Sequence, residues 1–479
     1  MTEQTPKESG KNVNRRQALK YMGGGALGLA ALMYGLDRKQ RLAFLDKDAE
    51  NSTPPQVNKR KANGLDRPLL GFGCMRLPVV DKDYSRIDTE LAEKMIDYAY
   101  RRGVNYFDTA YPYHRGQSET FLGNTLKKYP RDSFYLADKM PGWIIKSLDD
   151  AKKIFAEQLK KCQVDYFDNY FLHGLSGGSE LGTMSTDFSK VYEEMGVLDY
   201  LQQEKARGRI RQLGFSFHGD IPFFKQILET HTWDMVMIDL NYLDWSNTGS
   251  DDKLKNFPRG NIANKGRYAG DFYKLLEEKG IPCYVMEPVR GGQLAILNPA
   301  AVKVLKTADP NRSTASWALR YVATLPNVVT VLSGMSTLEH VVDNINTMTD
   351  FKPLITADYQ VVDKALEAYL SHETIFCTGC MYCMPCPYGI EIPTVFKVFN
   401  ECSGDLGLPD PEKPAINYQA QQRALLTRYN NTVEKYAQAD HCIGCKKCEK
   451  LCPQRLLIAK HMRQIDDLVS KVKRQKGEF

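Results

Sequence analysis

From Leu69 to about Asn344, short apolar β-rich runs alternate with amphipathic stretches, and this alternation leaves the chain few architectures to choose from. The clearer strands are Leu69–Cys74, Tyr106–Thr109, Phe134–Ala137, Tyr170–His173, Gln212–Ser216, Met235–Leu240, Cys283–Met286 and Val328–Leu332. Between them lie helical patterns such as Thr89–Arg102, Ala151–Lys161, Val197–Arg207 and Phe272–Lys279, with apolar residues recurring every three or four positions. This order predicts parallel βαβ units. Eight of them in roughly 250–300 residues suit a closed, eight-stranded parallel (β/α) TIM-type barrel better than an open sheet. No glycine fingerprint opens the first unit, which disfavours a dinucleotide-binding doubly wound domain.

The chain has 479 residues, more than one barrel needs, and its ends read differently from its middle. Residues 1–20 are polar and include Arg15-Arg16, and a small-residue, apolar stretch follows from Tyr21 to Leu36. A charged region before a short glycine-rich apolar run has the pattern of a twin-arginine export signal, and 1–45 is read as signal or anchor. That reading implies a periplasmic or membrane-associated protein. A chance dibasic pair is the competing reading and leaves the protein cytoplasmic. The run Gly23–Gly28 matches GxGxxG by accident, since no strand precedes it. Residues 46–65, with Pro54-Pro55, read as a linker, and 66–350 as the barrel. A connecting helix over 351–375, a cysteine-rich module over 376–465 and a polar tail over 466–479 complete the organisation. The formal charge of +6 is small for this length and no basic stripe is visible, so nucleic acid is excluded as a partner. No membrane span is expected beyond the N-terminal anchor.

In such barrels chemistry sits where strands end, at the C-terminal face. Asp108 closes the second strand, Lys139 the third, His173 the fourth and Ser216 the fifth. Two long connections, Gly174–Gly196 and Asp244–Gly270, are expected to overhang that face and cover a substrate. Asp108, Tyr113, Lys139 and His173 are expected to meet there. Carbonyl reduction by a nicotinamide delivers a hydride to carbon and needs a proton on the developing alkoxide. A phenol of pKa about 10 is a weak donor at neutral pH, and a nearby ammonium lowers it towards working range. Asp108 would hold that ammonium, and His173 would orient the carbonyl oxygen. Taken singly, each residue has a structural reading. Their joint placement at successive strand ends favours chemistry.

The segments Phe107-Asp108-Thr109-Ala110-Tyr111-Pro112-Tyr113, Ala137-Asp138-Lys139, Phe171-Leu172-His173 and Ile210-Arg211-Gln212-Leu213-Gly214-Phe215-Ser216 resemble the aldo-keto reductase family. The similarity runs from about Asp66 to Met348. It implies Tyr113 as proton donor, Lys139 and Asp108 as its tuning pair and His173 as substrate orienter. It also implies NAD(P)H, with Ser216 bonded to the nicotinamide amide and Met286, Gly291 and Gly292 approaching ring and pyrophosphate. Gly334, Asp343 and Asn344 match the adenosine-side loop. Met237 stands where many members have glutamine, and Met286 where many have a ring-stacking tyrosine. The adenosine-side loop lacks the usual basic residues for a 2′-phosphate, with His340 in one of their positions, so NADH and NADPH both stay open.

Eight of the twelve cysteines fall in two short runs, and clustering of that kind points to metal rather than to disulfides. The run Cys442, Cys445, Cys448, Cys452-Pro453 has the spacing of bacterial ferredoxins. The run Cys377, Cys380, Cys383, Cys386-Pro387 is one residue short before its last cysteine, and zinc stays open there. By resemblance to ferredoxins, Cys452 would join Cys377, Cys380 and Cys383 round one 4Fe–4S cluster. Cys386 would join Cys442, Cys445 and Cys448 round another. Barrel and cysteine module together resemble an aldo-keto reductase branch with a C-terminal ferredoxin-like cluster domain. The resulting expectation is an NAD(P)H-dependent reductase of a small carbonyl or quinone, with clusters that are structural or serve a redox partner protein. The alternative is an iron–sulfur electron-transfer protein that uses the barrel as a docking or assembly scaffold.

Overall fold

Eight parallel strands close on themselves in the computed structural model, which describes residues 37–50, 53–81, 83–176, 186–245, 269–349, 351–410, 412, 414–452, 454 and 456–476. A hairpin comes first, β1 (Lys59–Ala62) and β2 (Leu65–Pro68). The barrel strands are β3 (Leu70–Gly73), β4 (Tyr106–Asp108), β5 (Tyr135–Met140), β6 (Phe167–Leu175), β7 (Ile210–Phe217), β8 (Met235–Asp239), β9 (Cys283–Met286) and β10 (Val328–Ser333). Each pairs in parallel with the next, and β10 closes the ring on β3 through Val331 opposite Leu70. The interior is filled by Tyr106, Phe171, Met235, Met237, Tyr284, Val329 and Leu332, so this is a packed core and not a pore. The fold expected from the sequence is the fold observed.

The hairpin corrects the linker reading of 46–65. Asn63 and Gly64 both have positive φ (51° and 76°), as a two-residue type I′ turn requires. Arg67, 1% exposed, stacks on the Tyr135 ring at 3.7 Å, and Asn63 Nδ2 donates to the Asp234 carbonyl at 3.0 Å. These partners lie at or just before strand starts, so the hairpin plugs the N-terminal end of the barrel. Ligands must enter from the other end.

Residues 37–45, assigned to the signal or anchor, belong to the folded body. Asp37 caps the helix Arg38–Asp48, which docks through Arg102–Asp48 at 2.6 Å, Arg41–Glu339 at 2.9 Å and the buried Leu45. Arg15, Arg16 and the apolar run to Leu36 lie outside the described residues. So do 177–185 and 246–268 of the two long connections. Among the described residues no helix is long and apolar enough to cross a membrane.

The connecting helix, Thr356–Leu370, is part of the barrel body, because Val362, Ala365, Tyr369 and Leu370 join its core. A second core belongs to the cysteine module and is built by helices Ile392–Leu406, Tyr418–Thr432 and Ile458–Lys476. The last of these overturns the polar tail at 466–479. Ile465, Val469 and Val472 repeat at helical spacing and are all buried, so the helix continues as far as Lys476.

Candidate active site and cysteine module

The C-terminal mouth of the barrel brings together Asp108, Lys139 and His173 from the barrel strands and Tyr113 from the turn that follows β4. Lys139 Nζ lies 2.7 Å from Asp108 Oδ1, 2.7 Å from the Thr109 carbonyl and 3.4 Å from the Tyr113 hydroxyl. The rings of Tyr113 and His173 meet edge to face at 6.3 Å. All four residues are buried. Tyr113 is aimed by an unusual turn: His114 and Arg115 both hold positive φ, near 51° and 53°. The buried His114 ring secures that turn, accepting from Leu77 N–H at Nε2 (3.1 Å) and pairing Nδ1 with the Tyr84 carbonyl (2.8 Å).

Burial dominates the electrostatics. It pushes the Tyr113 phenol well above its ordinary range, and the Asp108 charge adds to this. The downward shift expected from Lys139 is therefore not the resting condition, because desolvation of a phenolate outweighs the nearby ammonium. Burial also raises Asp108, with Lys139 opposing it, and drives His173 well below its ordinary value with help from Lys139 and His218. His173 is thus a neutral ring, and its Nδ1 is buried without a partner among the described residues. The unfolded histidine takes up a proton below about pH 6.5, whereas the buried ring does so only at lower pH. The unfolded state binds more protons in that window, so stability falls as pH drops through it. His173→Gln is expected to flatten that part of the stability–pH curve in urea denaturation. An unchanged slope would contradict a neutral buried ring.

A cleft of ≈ 670 Å³ runs from these residues to the start of the helix Leu338–Thr349. Ser216, Met286, Gly291, Gly292, Gly334, Asp343 and Asn344 all line it, together with Met237. Its reach from Lys139 to that helix, with open space at Gly292, fits an elongated dinucleotide. Several of these residues also have protein partners. Ser216 Oγ accepts from Gly174 N–H at 2.8 Å, Asn344 Nδ2 donates to Ser333 Oγ at 2.7 Å, and Asp343 accepts from Ser313 Oγ at 2.6 Å. Gly291 departs most from expectation. A Cβ there would stand 2.1 Å from the Thr378 carbonyl oxygen, so its smallness admits the cysteine module against the barrel. Gly292 faces open space.

Sequence reasoning missed Trp143, 5.0 Å from the His173 ring, and the cleft residues Arg76, His218, Asp239 and Lys306. It also missed Tyr382 and Gln454, which reach the cleft from the C-terminal module, and the place of the expected cluster ligand Cys380 on the cleft wall. Trp143 carried one signal, an aromatic side chain just past a strand end. The module residues carried none, because their position depends on docking.

The eight clustered cysteines surround two cavities. Cys377, Cys380, Cys383 and Cys452 line one, and Cys386, Cys442, Cys445 and Cys448 the other. These are the crossed sets that the ferredoxin resemblance implies. Among the described residues no group of three or more His, Cys, Asp or Glu side chains is arranged to hold a single metal ion. Two four-thiol rings, each enclosing a cavity with apolar walls, fit a pair of cubane clusters.

Such a barrel, with a cysteine-rich module at its mouth, defines a barrel oxidoreductase with an appended iron–sulfur domain. Residues 69–367 match the model of the aldo/keto reductase family, and residues 376–457 match a 4Fe-4S dicluster domain. The chain belongs to the aldo/keto reductase family. It is 26% identical over 311 residues to the oxidoreductase YqkF of Bacillus subtilis (strain 168), covering 60% of this chain and 90% of that one. It is 26% identical over 302 residues to L-galactose dehydrogenase of Arabidopsis thaliana, covering 61% and 87%. Among solved structures, the holo form of aldo-keto reductase AKR11C1 from Bacillus halodurans aligns with a TM-score of 0.49 at 24% identity, over 65% of this chain and 96% of that one.

Proposed function

We propose that this protein is an NAD(P)H-dependent reductase of small carbonyl compounds or quinones, with Tyr113 as proton donor and two 4Fe–4S clusters in its C-terminal module. The observation that carries the reading is the buried chain from Tyr113 through Lys139 to Asp108. Ser216, Met286, Gly292 and Asn344 would hold a nicotinamide cofactor along the cleft, and the hydride for the carbonyl carbon would come from it. The Tyr113 hydroxyl donates its proton to the carbonyl oxygen as charge develops there. Burial keeps that phenol protonated until the oxygen becomes basic enough to take the proton. The Lys139 ammonium then stabilises the phenolate, and Asp108 fixes the ammonium in place. Neutral His173 offers a hydrogen bond to the same carbonyl oxygen without adding a charge.

Cys377, Cys380, Cys383 and Cys452 would hold one cluster, and Cys386, Cys442, Cys445 and Cys448 the other. Each cluster exchanges single electrons when present. Protein purified without oxygen is expected to contain about eight irons per chain, four for each cluster. Cys452→Ser and Cys386→Ser should each remove about half, by iron assay and visible absorbance. A full complement in both variants would contradict the crossed assignment. The reductase reading itself is tested by following nicotinamide absorbance with a panel of aldehydes, ketones and quinones. No consumption of NADPH or NADH with any of them would sink it.

A further inference from the structure

The first thiol ring and the cleft share walls. Cys380 and Gln454 line both the cavity ringed by Cys377, Cys380, Cys383 and Cys452 and the cleft that holds Tyr113, Lys139 and His173. Tyr382, two residues beyond Cys380 in the chain, also lines the cleft. The loop carrying them is bolted to the barrel. Arg76 donates to the Thr378 carbonyl at 2.6 Å and to that of Gly379 at 3.2 Å. Gln293 donates to the carbonyls of Ile375 and Cys377, and Arg290 reaches the Phe376 carbonyl and the Gln454 side chain. Gly291 lets Thr378 into contact. The second ring is placed differently. Its cavity shares no lining residue with the cleft, and Cys445 is exposed.

We propose that Tyr382 is a substrate-contacting residue of the cleft, and that filling the cleft is coupled to the redox state of the first thiol ring but not of the second. This rests on reading the cleft as a carbonyl site and the rings as cluster sites. Reduction adds an electron to a cluster already surrounded by four thiolates. A neutral ligand that displaces water from the shared wall removes solvation that the more highly charged state needs most. The ligand therefore prefers the oxidised protein, and by reciprocity it lowers the potential of the adjacent site. A tenfold preference corresponds to about 59 mV for a one-electron couple. The shared wall also suggests the substrate class. Tyr113, Tyr382, Met237 and Met286 present aromatic and thioether surface, which favours a planar aromatic ketone or quinone over a short polar aldehyde.

The test uses the full chain, purified without oxygen and titrated potentiometrically under electron paramagnetic resonance, with and without acetophenone and with no nicotinamide present. One of the two cluster signals is expected to move to lower potential, by about 59 mV for each tenfold preference. It should be the signal that Cys452→Ser removes, while Cys386→Ser removes the stationary one. Tyr382→Ala is expected to raise the KM for acetophenone about tenfold in the NADPH assay and to diminish the shift. Tyr382→Phe should preserve both. If a cysteine variant does not fold, the diminished shift in Tyr382→Ala identifies the coupled signal instead. No shift in either signal, or an equal shift in both, overturns the coupling. A shift confined to one signal in protein that consumes no NADPH or NADH would leave the coupling standing and remove the reductase reading.

Discussion

Tyr113→Phe is expected to lower kcat for carbonyl reduction by ~10²–10⁴-fold, with little change in nicotinamide affinity. The substitution removes one oxygen and leaves the ring, its edge-to-face contact with His173 and the His114 turn unaltered. What disappears is the only group of the buried set that the mechanism uses as an acid. Neutral His173 is a poor substitute because its imidazole N–H is far weaker as a proton donor than an imidazolium, and burial disfavours the charged ring. The measurement is steady-state kinetics of NADPH oxidation beside fluorescence titration of NADPH binding. A Phe variant that turns over like the wild type would remove Tyr113 from the mechanism. Loss of binding and turnover together would show instead that the hydroxyl holds the cleft in shape.

Lys139→Met is expected to cost about 3–5 kcal/mol of stability at neutral pH, because it strands a buried carboxylate. Lys139 and Asp108 side chains are only 2% and 4% exposed. The lysine also satisfies the Thr109 carbonyl, and Asp108 Oδ2 already lacks a partner among the described residues. Burial raises the Asp108 carboxyl in the native protein, and Lys139 is the influence that holds it down. Without the lysine it must rise further. A carboxyl whose folded value lies above its unfolded value, about 3.9, binds more protons folded than unfolded between the two. The stability it contributes is full below about pH 3.9 and is lost as pH rises through the folded value. The deficit of the variant relative to wild type should therefore be smallest in acid and grow towards neutrality. Urea denaturation across pH tests this, and a second change, Asp108→Asn, should recover part of the loss. A deficit independent of pH would mean that the pair is not an ion pair in the folded protein.

How far these sites were legible in advance depended on distance along the chain. Asp108, Lys139 and His173 could be grouped because strand ends in a parallel barrel share one face, a consequence of topology that needs no side-chain detail. The hairpin left one signal, the Asn63-Gly64 turn, but its four-residue strands vanish among polar neighbours and the segment reads as a linker. The buried face of the last helix was written as Ile465, Val469 and Val472 and was obscured by the lysines around it. The direction of the Tyr113 shift was not legible, since a sequence names the nearby ammonium and says nothing of how much water has been excluded.

By themselves the residues determined the parallel barrel, the face that carries the chemistry and the two cysteine runs, because each follows from periodicity or spacing within a few turns of chain. Tertiary structure alone decided that Gly291 makes room for Thr378, that Cys380, Tyr382 and Gln454 reach the cleft, and that one thiol ring adjoins it while the other meets solvent. These depend on how two separately packed cores dock. Docking is a matter of surface shape and of long-range bonds such as Arg76 to Thr378, between residues some three hundred positions apart, for which local patterning carries no signal.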